Sequence, residues 1–114
     1  MTESEYADPG GIELIGAFES TFLPRHDIDI FESTGHHINW KQDLDLLASC
    51  GVTRLRYPVR WHRVEAEENV LDWQDTDKVL HYLRDHGFRP IIDLVHHTSY
   101  PRWLAALLDA GPHR

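Results

Sequence analysis

The sequence has one cysteine, few cationic residues and no long apolar run. Cys50 stands alone among 114 residues, which excludes a disulfide framework within the chain. No apolar stretch approaches the roughly 18 residues that a membrane-spanning helix requires. Lysine and arginine number 11 against 19 acidic residues, giving a net charge of −8, and they form no basic run. Because nucleic acids and anionic membranes are bound by clustered cations, the sequence predicts neither as a partner.

Several chemistry-bearing motifs are also missing. The sequence contains no glycine-rich dinucleotide or phosphate loop, no nucleophile elbow and no Cys-x-x-Cys pair. We therefore expect no cofactor. Residues 1–11 are acidic and polar, unlike the charged-then-apolar order of a signal peptide. They predict a disordered N-terminal lead before a single folded region at 12–114, and a cytoplasmic location.

What the sequence does contain is an alternation of strand-like and helix-like patterns. Strands are expected at 12–19, 53–61 and 90–97, and helices at 40–50, 73–86 and 103–109. Strand, helix, strand, helix, strand is typical of a parallel α/β fold. A (β/α)8 TIM barrel takes about 250 residues. The sequence thus predicts the first three β/α units of such a barrel, truncated.

Local sequence signals predict where the first two helices begin and end. Asn39 and Gln42 have the spacing of a capping box, which predicts a helix start at Asn39, and Gly51 supplies a left-handed stop. Asp72 is the expected cap of the second helix. The polar segment 20–38 reads as a long connection without secondary structure, a feature that is usually functional.

The strands predict which side chains are buried. In the second strand, apolar residues alternate with arginines and Pro58 marks the strand's end or a bulge; its apolar face comprises Leu55, Tyr57, Val59 and Trp61. The third strand is almost continuously apolar, which predicts burial on both faces. Three parallel strands alone would leave an apolar face and two unpaired edges. We therefore expect self-association or contact with the remainder of a barrel.

Polar residues concentrate where these strands end, and the predicted site comprises Glu19, Arg56, His96 and His97. Active sites of α/β folds form at the carboxyl ends of the strands. A polyhydroxyl ligand could be bound by a carboxylate, a guanidinium and an imidazole that meet at one edge of the sheet. Glu19 could equally be a solvated residue, although it is also a candidate partner for Arg56, which reads as a buried cation. Adjacent histidines point to opposite sides, so at most one of His96 and His97 is expected to face the site.

The nine histidines also raise the hypothesis of a metal site, which has less support than a site for a polyhydroxyl ligand. The pairs at 36–37 and 96–97 are adjacent in sequence, which suits bidentate capture of one ion poorly. We therefore predict no metal site.

Three segments in order, GAFEST, LRYPVRWHRV and LVHHTSYPRWL, resemble the N-terminal part of glycoside hydrolase family 1. The family's second strand reads like YRFSISWSRI and its third like LYHWDLPQWL. Members are β-glucosidase-like retaining enzymes with a (β/α)8 barrel. The resemblance runs from about residue 12 to residue 104. It implies a carbohydrate or glycoside as the ligand.

The resemblance also implies roles for matched residues. Arg56 matches the arginine that hydrogen-bonds the nucleophilic carboxylate, and His96 matches a histidine that contacts the sugar, with His97 a close rival. The family's first-strand glutamine is missing, and Glu19 is the nearest polar substitute. These departures are typical of a divergent branch.

The family's two catalytic carboxylates follow the fourth strand, in an Asn-Glu-Pro motif, and lie on the seventh. Neither strand nor any Asn-Glu-Pro is present in the 114 residues, which predicts an inactive fragment of an enzyme whose parent hydrolyses O-glycosyl compounds. Two alternatives stay open: a non-catalytic sugar-binding or assembly module that oligomerises, and a barrel enzyme of other chemistry, such as a metal-dependent hydrolase.

Overall fold

The computed structural model describes residues 11–111. Nearly all of the predicted N-terminal lead therefore lies outside the described residues. The elements, in chain order, are β1 (Ile15–Ala17), β2 (Phe22–Leu23), β3 (Ile28–Asp29), α1 (Ile30–Ser33), α2 (His36–Ser49), β4 (Arg54–Pro58), α3 (Trp61–Val64), α4 (Gln74–Asp85), β5 (Arg89–Asp93) and α5 (Arg102–Ala110).

The predicted parallel sheet is confirmed. Its strand order is β1-β4-β5, and both neighbouring pairs are parallel. The helices α2 and α4 are the connections between successive strands, as a βαβ arrangement requires. Gly51 and Gly87 follow these helices with φ angles of 82° and 75°, so glycine ends both helices as the sequence predicts.

The core lies on one face of the sheet, under the helices. Leu55 and Tyr57 of β4 pack with Leu44 of α2 and Leu83 of α4, and all four are buried. The alternation predicted for β4 is thus confirmed within the strand, and Pro58 ends the strand as expected. Trp61 is not in the strand, because the chain turns after Pro58 and Trp61 begins α3.

The segment 20–38 is not structureless, so that prediction is wrong. It contains an antiparallel hairpin of β2 and β3, in which Phe22 pairs with Asp29, followed by the short helix α1. The Asp29 carboxylate caps α1 by accepting a hydrogen bond from the Phe31 N–H at 2.9 Å. The hairpin is fixed to the loop after β5, since the Phe22 N–H donates to Ser99 Oγ at 2.9 Å.

Two cap predictions also need correction. Helix α2 begins at His36 after Gly35, and Asn39 lies at a kink inside the helix rather than at its start. The Asn39 side-chain amide donates instead to the Gly35 carbonyl at 3.2 Å. For α4 the cap residue is Trp73, one position later than predicted, although Asp72 still accepts from the Gln74 N–H at 3.0 Å.

The face of the sheet opposite the helices is open in the described structure. Ile15 of β1 and Ile91 of β5 lie on this face and are 54% and 41% exposed, whereas Ile92 points to the helix face and is 39% exposed. The prediction that the third strand is buried on both faces is therefore wrong for residues 11–111, since β5 has an exposed side chain on each face. Among the described strands β5 also pairs only with β4, so it forms an edge of the sheet. An uncovered apolar strand edge is a surface on which other polypeptide segments can pair.

No described helix is long and apolar enough to cross a membrane.

Candidate functional site

The predicted site residues lie together at the carboxyl ends of the three parallel strands. Pro58, the last residue of β4, is in register with Asp93, the last residue of β5. Glu19 and His96 follow the ends of β1 and β5 by two and three residues, respectively. The sheet register therefore brings side chains that are distant in sequence to one edge.

His96 is at the centre of this group. Its Nδ1 lies 2.9 Å from Asp93 Oδ2, and its Nε2 lies 3.6 Å from Glu19 Oε1. The side chain is only 13% exposed. Asp93 was not among the predicted site residues, although its position at the carboxyl end of β5 could have indicated it.

Of the two adjacent histidines, His96 is the one that lies against Glu19 and Asp93. His97 is exposed and adopts a left-handed backbone conformation with φ of 53°. Its ring is edge-on to that of His96, with centroids 4.4 Å apart. His97 thus lies beside the site without contacting Glu19 or Asp93 in the described structure.

Glu19 is both exposed and directed toward the site. Its Oε1 accepts hydrogen bonds from the Thr21 hydroxyl and from the Thr21 N–H, the latter at 2.9 Å. These hydrogen bonds, with a smaller contribution from the nearby His96, lower the pKa of the Glu19 carboxyl. The carboxylate is therefore ionised at neutral pH and available as a hydrogen-bond acceptor.

Arg56 is not the buried cation that the sequence predicts. Its side chain is 45% exposed, on the open face of the sheet, and its Nε lies 3.8 Å from Asp93 Oδ2. Asp93 rather than Glu19 is its partner. The prediction failed because Arg56 alternates with buried residues but lies on the face of the sheet that residues 11–111 leave uncovered.

A second polar cluster, which sequence reasoning missed, consists of Asp29, Arg60 and His62. Asp29 Oδ2 accepts from Arg60 Nη2 at 2.5 Å and is 2.6 Å from His62 Nε2. Burial alone would raise the pKa of the Asp29 carboxyl, but the His62 hydrogen bond and the Arg60 charge outweigh it and lower the pKa to about 2. The cluster joins the hairpin to α3 through a buried ion pair.

His36, one of the histidines considered for metal binding, is instead a core residue. Its Nδ1 lies 2.7 Å from Asp43 Oδ2 and its Nε2 lies 2.7 Å from the Tyr57 hydroxyl. The Phe18 ring stacks on the imidazole with centroids 4.0 Å apart. Within residues 11–111, no group of three or more histidine, cysteine, aspartate or glutamate side chains is arranged to hold a metal ion.

The buried His36 predicts a pH dependence of stability. Burial lowers the pKa of His36 from its ordinary 6.5, despite the opposing effect of the hydrogen bond that His36 donates to Asp43. The unfolded chain therefore binds this proton more readily, and we expect the free energy of unfolding to fall as the pH drops below 6.5. Urea unfolding of the wild type and of His36→Gln on both sides of that pH measures the effect. The variant should show the smaller change with pH, and an equal change in both proteins would contradict the assignment.

The comparisons with known proteins agree with this architecture. Aryl-phospho-beta-D-glucosidase BglA of Bacillus subtilis (strain 168) is 34% identical over 84 residues, which are 68% of this chain and 16% of that protein. The crystal structure of beta-glycosidase BGL167 matches with a TM-score of 0.55 and 33% identity, over 60% of this chain and 17% of that one. The chain thus spans about a sixth of the length of these relatives. No protein-family profile matches the sequence.

The parallel sheet, its strand-end polar site and these similarities define an α/β chain that resembles part of a β-glycosidase. More particularly, the resemblance to glycoside hydrolase family 1 is confirmed over part of the chain.

Proposed function

We propose that this chain supplies the first three β/α units of a (β/α)8 glycosidase-like barrel and one side of its sugar-binding site. The observation that carries the proposal is the convergence of Glu19, Arg56 and His96 at the carboxyl edge of a β-glycosidase-like sheet. This edge is where TIM-barrel enzymes bind their substrates. The ligand would be a carbohydrate or glycoside, encountered in the cytoplasm and without a cofactor or metal.

The geometry of the site suits sugar hydroxyl groups. A hydroxyl both donates and accepts hydrogen bonds. The site presents the Glu19 carboxylate 3.6 Å from the His96 imidazole, and Asp93 contacts both His96 and the Arg56 guanidinium. In the role implied by the family resemblance, Arg56 would hold a nucleophilic carboxylate and His96 would contact the sugar. That nucleophile would come from another part of the barrel, since retaining hydrolysis needs two carboxyl groups about 5 Å apart.

The 114 residues should not hydrolyse glycosides by themselves. They contain no Asn-Glu-Pro motif, and loss of a catalytic acid or nucleophile removes most of the rate acceleration. We expect no turnover of an aryl β-glucoside, with or without a phosphate on the sugar, above a buffer blank. Chromogenic assay of the purified chain measures this, and turnover that survives repeated purification but disappears in Glu19→Gln would refute the proposal of an inactive fragment.

A second candidate function is a non-catalytic sugar-binding or assembly module that oligomerises. The open apolar surface around the sheet favours it, since it includes Ile15, Ile91, Leu94 and Val95, all more than 40% exposed. Sedimentation velocity over a range of concentrations distinguishes the two candidates. A stable, concentration-dependent dimer that binds sugar would favour the module, whereas a monomer that binds sugar would favour the barrel portion.

A further inference from the structure

Two side chains at the strand-end site, Glu19 and His96, have hydrogen-bonding capacity beyond the contacts that they make within residues 11–111. His96 Nε2 lies 3.6 Å from Glu19 Oε1, which is beyond hydrogen-bond distance. The Glu19 carboxylate accepts from Thr21, but its two oxygens offer about four acceptor positions in all. The Glu19 side chain is 56% exposed, and the His96 side chain beside it retains 13% exposure. A ligand can therefore contact both side chains at once.

Asp93 decides which kind of hydrogen bond His96 can make. The Asp93 carboxylate can only accept, so the 2.9 Å contact with His96 Nδ1 requires the hydrogen on Nδ1. Neutral imidazole carries one N–H, and Nε2 is then an acceptor. The Arg56 guanidinium, 3.8 Å from the same Asp93 oxygen, adds a positive charge that holds this carboxylate in place.

Resting on the proposed function, we propose that Asp93 is a positioning residue. It holds His96 in the Nδ1–H form, so that His96 Nε2 and the Glu19 carboxylate together accept hydrogen bonds from adjacent hydroxyl groups of a carbohydrate. The site then selects ligands that present two free hydroxyls as donors. A sugar whose hydroxyls are methylated keeps its acceptor oxygens but loses the donors that this arrangement requires.

The tautomer of His96 can be measured directly. We would label the histidines of the full 114-residue chain with nitrogen-15 and record long-range proton–nitrogen spectra. The spectra are recorded at the alkaline end of a pH series, where the nitrogen shifts themselves identify the neutral ring, and the His96 signals are assigned with His96→Gln. The wild type is expected to show Nδ1–H. Asp93→Ala should shift the population toward Nε2–H, and Asp93→Glu, which keeps a carboxylate, should retain Nδ1–H.

Asp85→Ala is the matched control, since Asp85 is an exposed carboxylate that pairs with its neighbour Arg84, and the substitution should leave the His96 tautomer unchanged. A wild-type chain with Nε2–H, or an Asp93→Ala spectrum identical to the wild type, would overturn the inference. If Asp93→Ala does not fold, the wild type and Asp93→Glu decide the question.

A sugar titration separates this inference from the proposed function. Methyl β-glucoside should shift the His96 nitrogen signals, and its fully O-methylated derivative should not. Equal shifts with both compounds would overturn the two-donor selectivity. No shift with either sugar, together with the expected tautomer, would contradict the proposed sugar binding while supporting the positioning role of Asp93.

Discussion

Replacing Asp29 with alanine is expected to lower the free energy of unfolding by about 3–5 kcal/mol, because removing one partner of a buried ion pair leaves the other charge uncompensated. The Asp29 side chain is 7% exposed, and its carboxylate satisfies Arg60, His62 and the first turn of α1. Urea unfolding followed by circular dichroism measures the loss. A variant that no longer folds agrees with the expectation, since a small domain has only about 5–15 kcal/mol of stability.

Asp85→Ala again provides the control, because Asp85 is 57% exposed and pairs with a neighbour on the surface. The Asp85→Ala substitution should change the free energy of unfolding by no more than about 0.5 kcal/mol. The loss in Asp29→Asn should lie between those of Asp85→Ala and Asp29→Ala, since asparagine still caps α1 but carries no charge. Similar small effects for all three variants would show that the buried cluster contributes little.

The same cluster predicts acid sensitivity. The pKa of Asp29 is lowered from 3.8 to about 2 in the folded protein. The Asp29 contribution to the free energy of unfolding is therefore fully present above pH 3.8 and is lost as the pH falls toward 2. Its magnitude is about 2 kcal/mol. The Asp29→Ala variant should lack this part of the acid transition.

Replacing Leu44 with alanine is the second large effect that we expect, at about 2–5 kcal/mol of destabilisation. Leu44 is fully buried between α2 and the central strand β4, where it packs with Leu55 and Leu83. Alanine would leave a cavity at the place where the helices hold the sheet. The strand-end site depends on this packing because β4 carries Arg56.

The neighbouring Leu46 offers a matched control in the same helix, since it is 58% exposed. Leu46→Ala should change the free energy of unfolding by no more than about 0.5 kcal/mol. Urea unfolding of both variants under identical conditions makes the comparison. Equal destabilisation by the two substitutions would contradict the assignment of the core face of α2.

The parallel sheet and its two long helices could be predicted from sequence because their signals are local and periodic. Leu44 and Leu47 recur at helical spacing, Leu55 and Tyr57 alternate along β4, and Gly51 ends α2 with a positive φ. The third expected helix is also confirmed, as α5. Because the carboxyl ends of parallel strands meet at one edge, the strand pattern alone predicts that Glu19 and His96 lie close together.

The features that were missed depend on contacts between distant residues. The hairpin of β2 and β3 has only two residues in each strand, too few to show the alternation of apolar and polar residues that indicates a strand. The Asp29 cluster joins residues more than 30 positions apart. Arg56 was expected to be buried because sequence alternation does not reveal whether the second face of a sheet is covered.

The most direct test of the proposed sugar-binding site is to map where a sugar touches the 114-residue chain. Nuclear magnetic resonance titration with methyl β-glucoside should give saturable shifts centred on Glu19, Arg56 and His96, and these should be lost in His96→Ala. The cleft between α2 and α4, lined by Trp40, Val79 and Leu80, should remain unperturbed. Saturable shifts at that cleft, or none at the strand ends, would contradict the account.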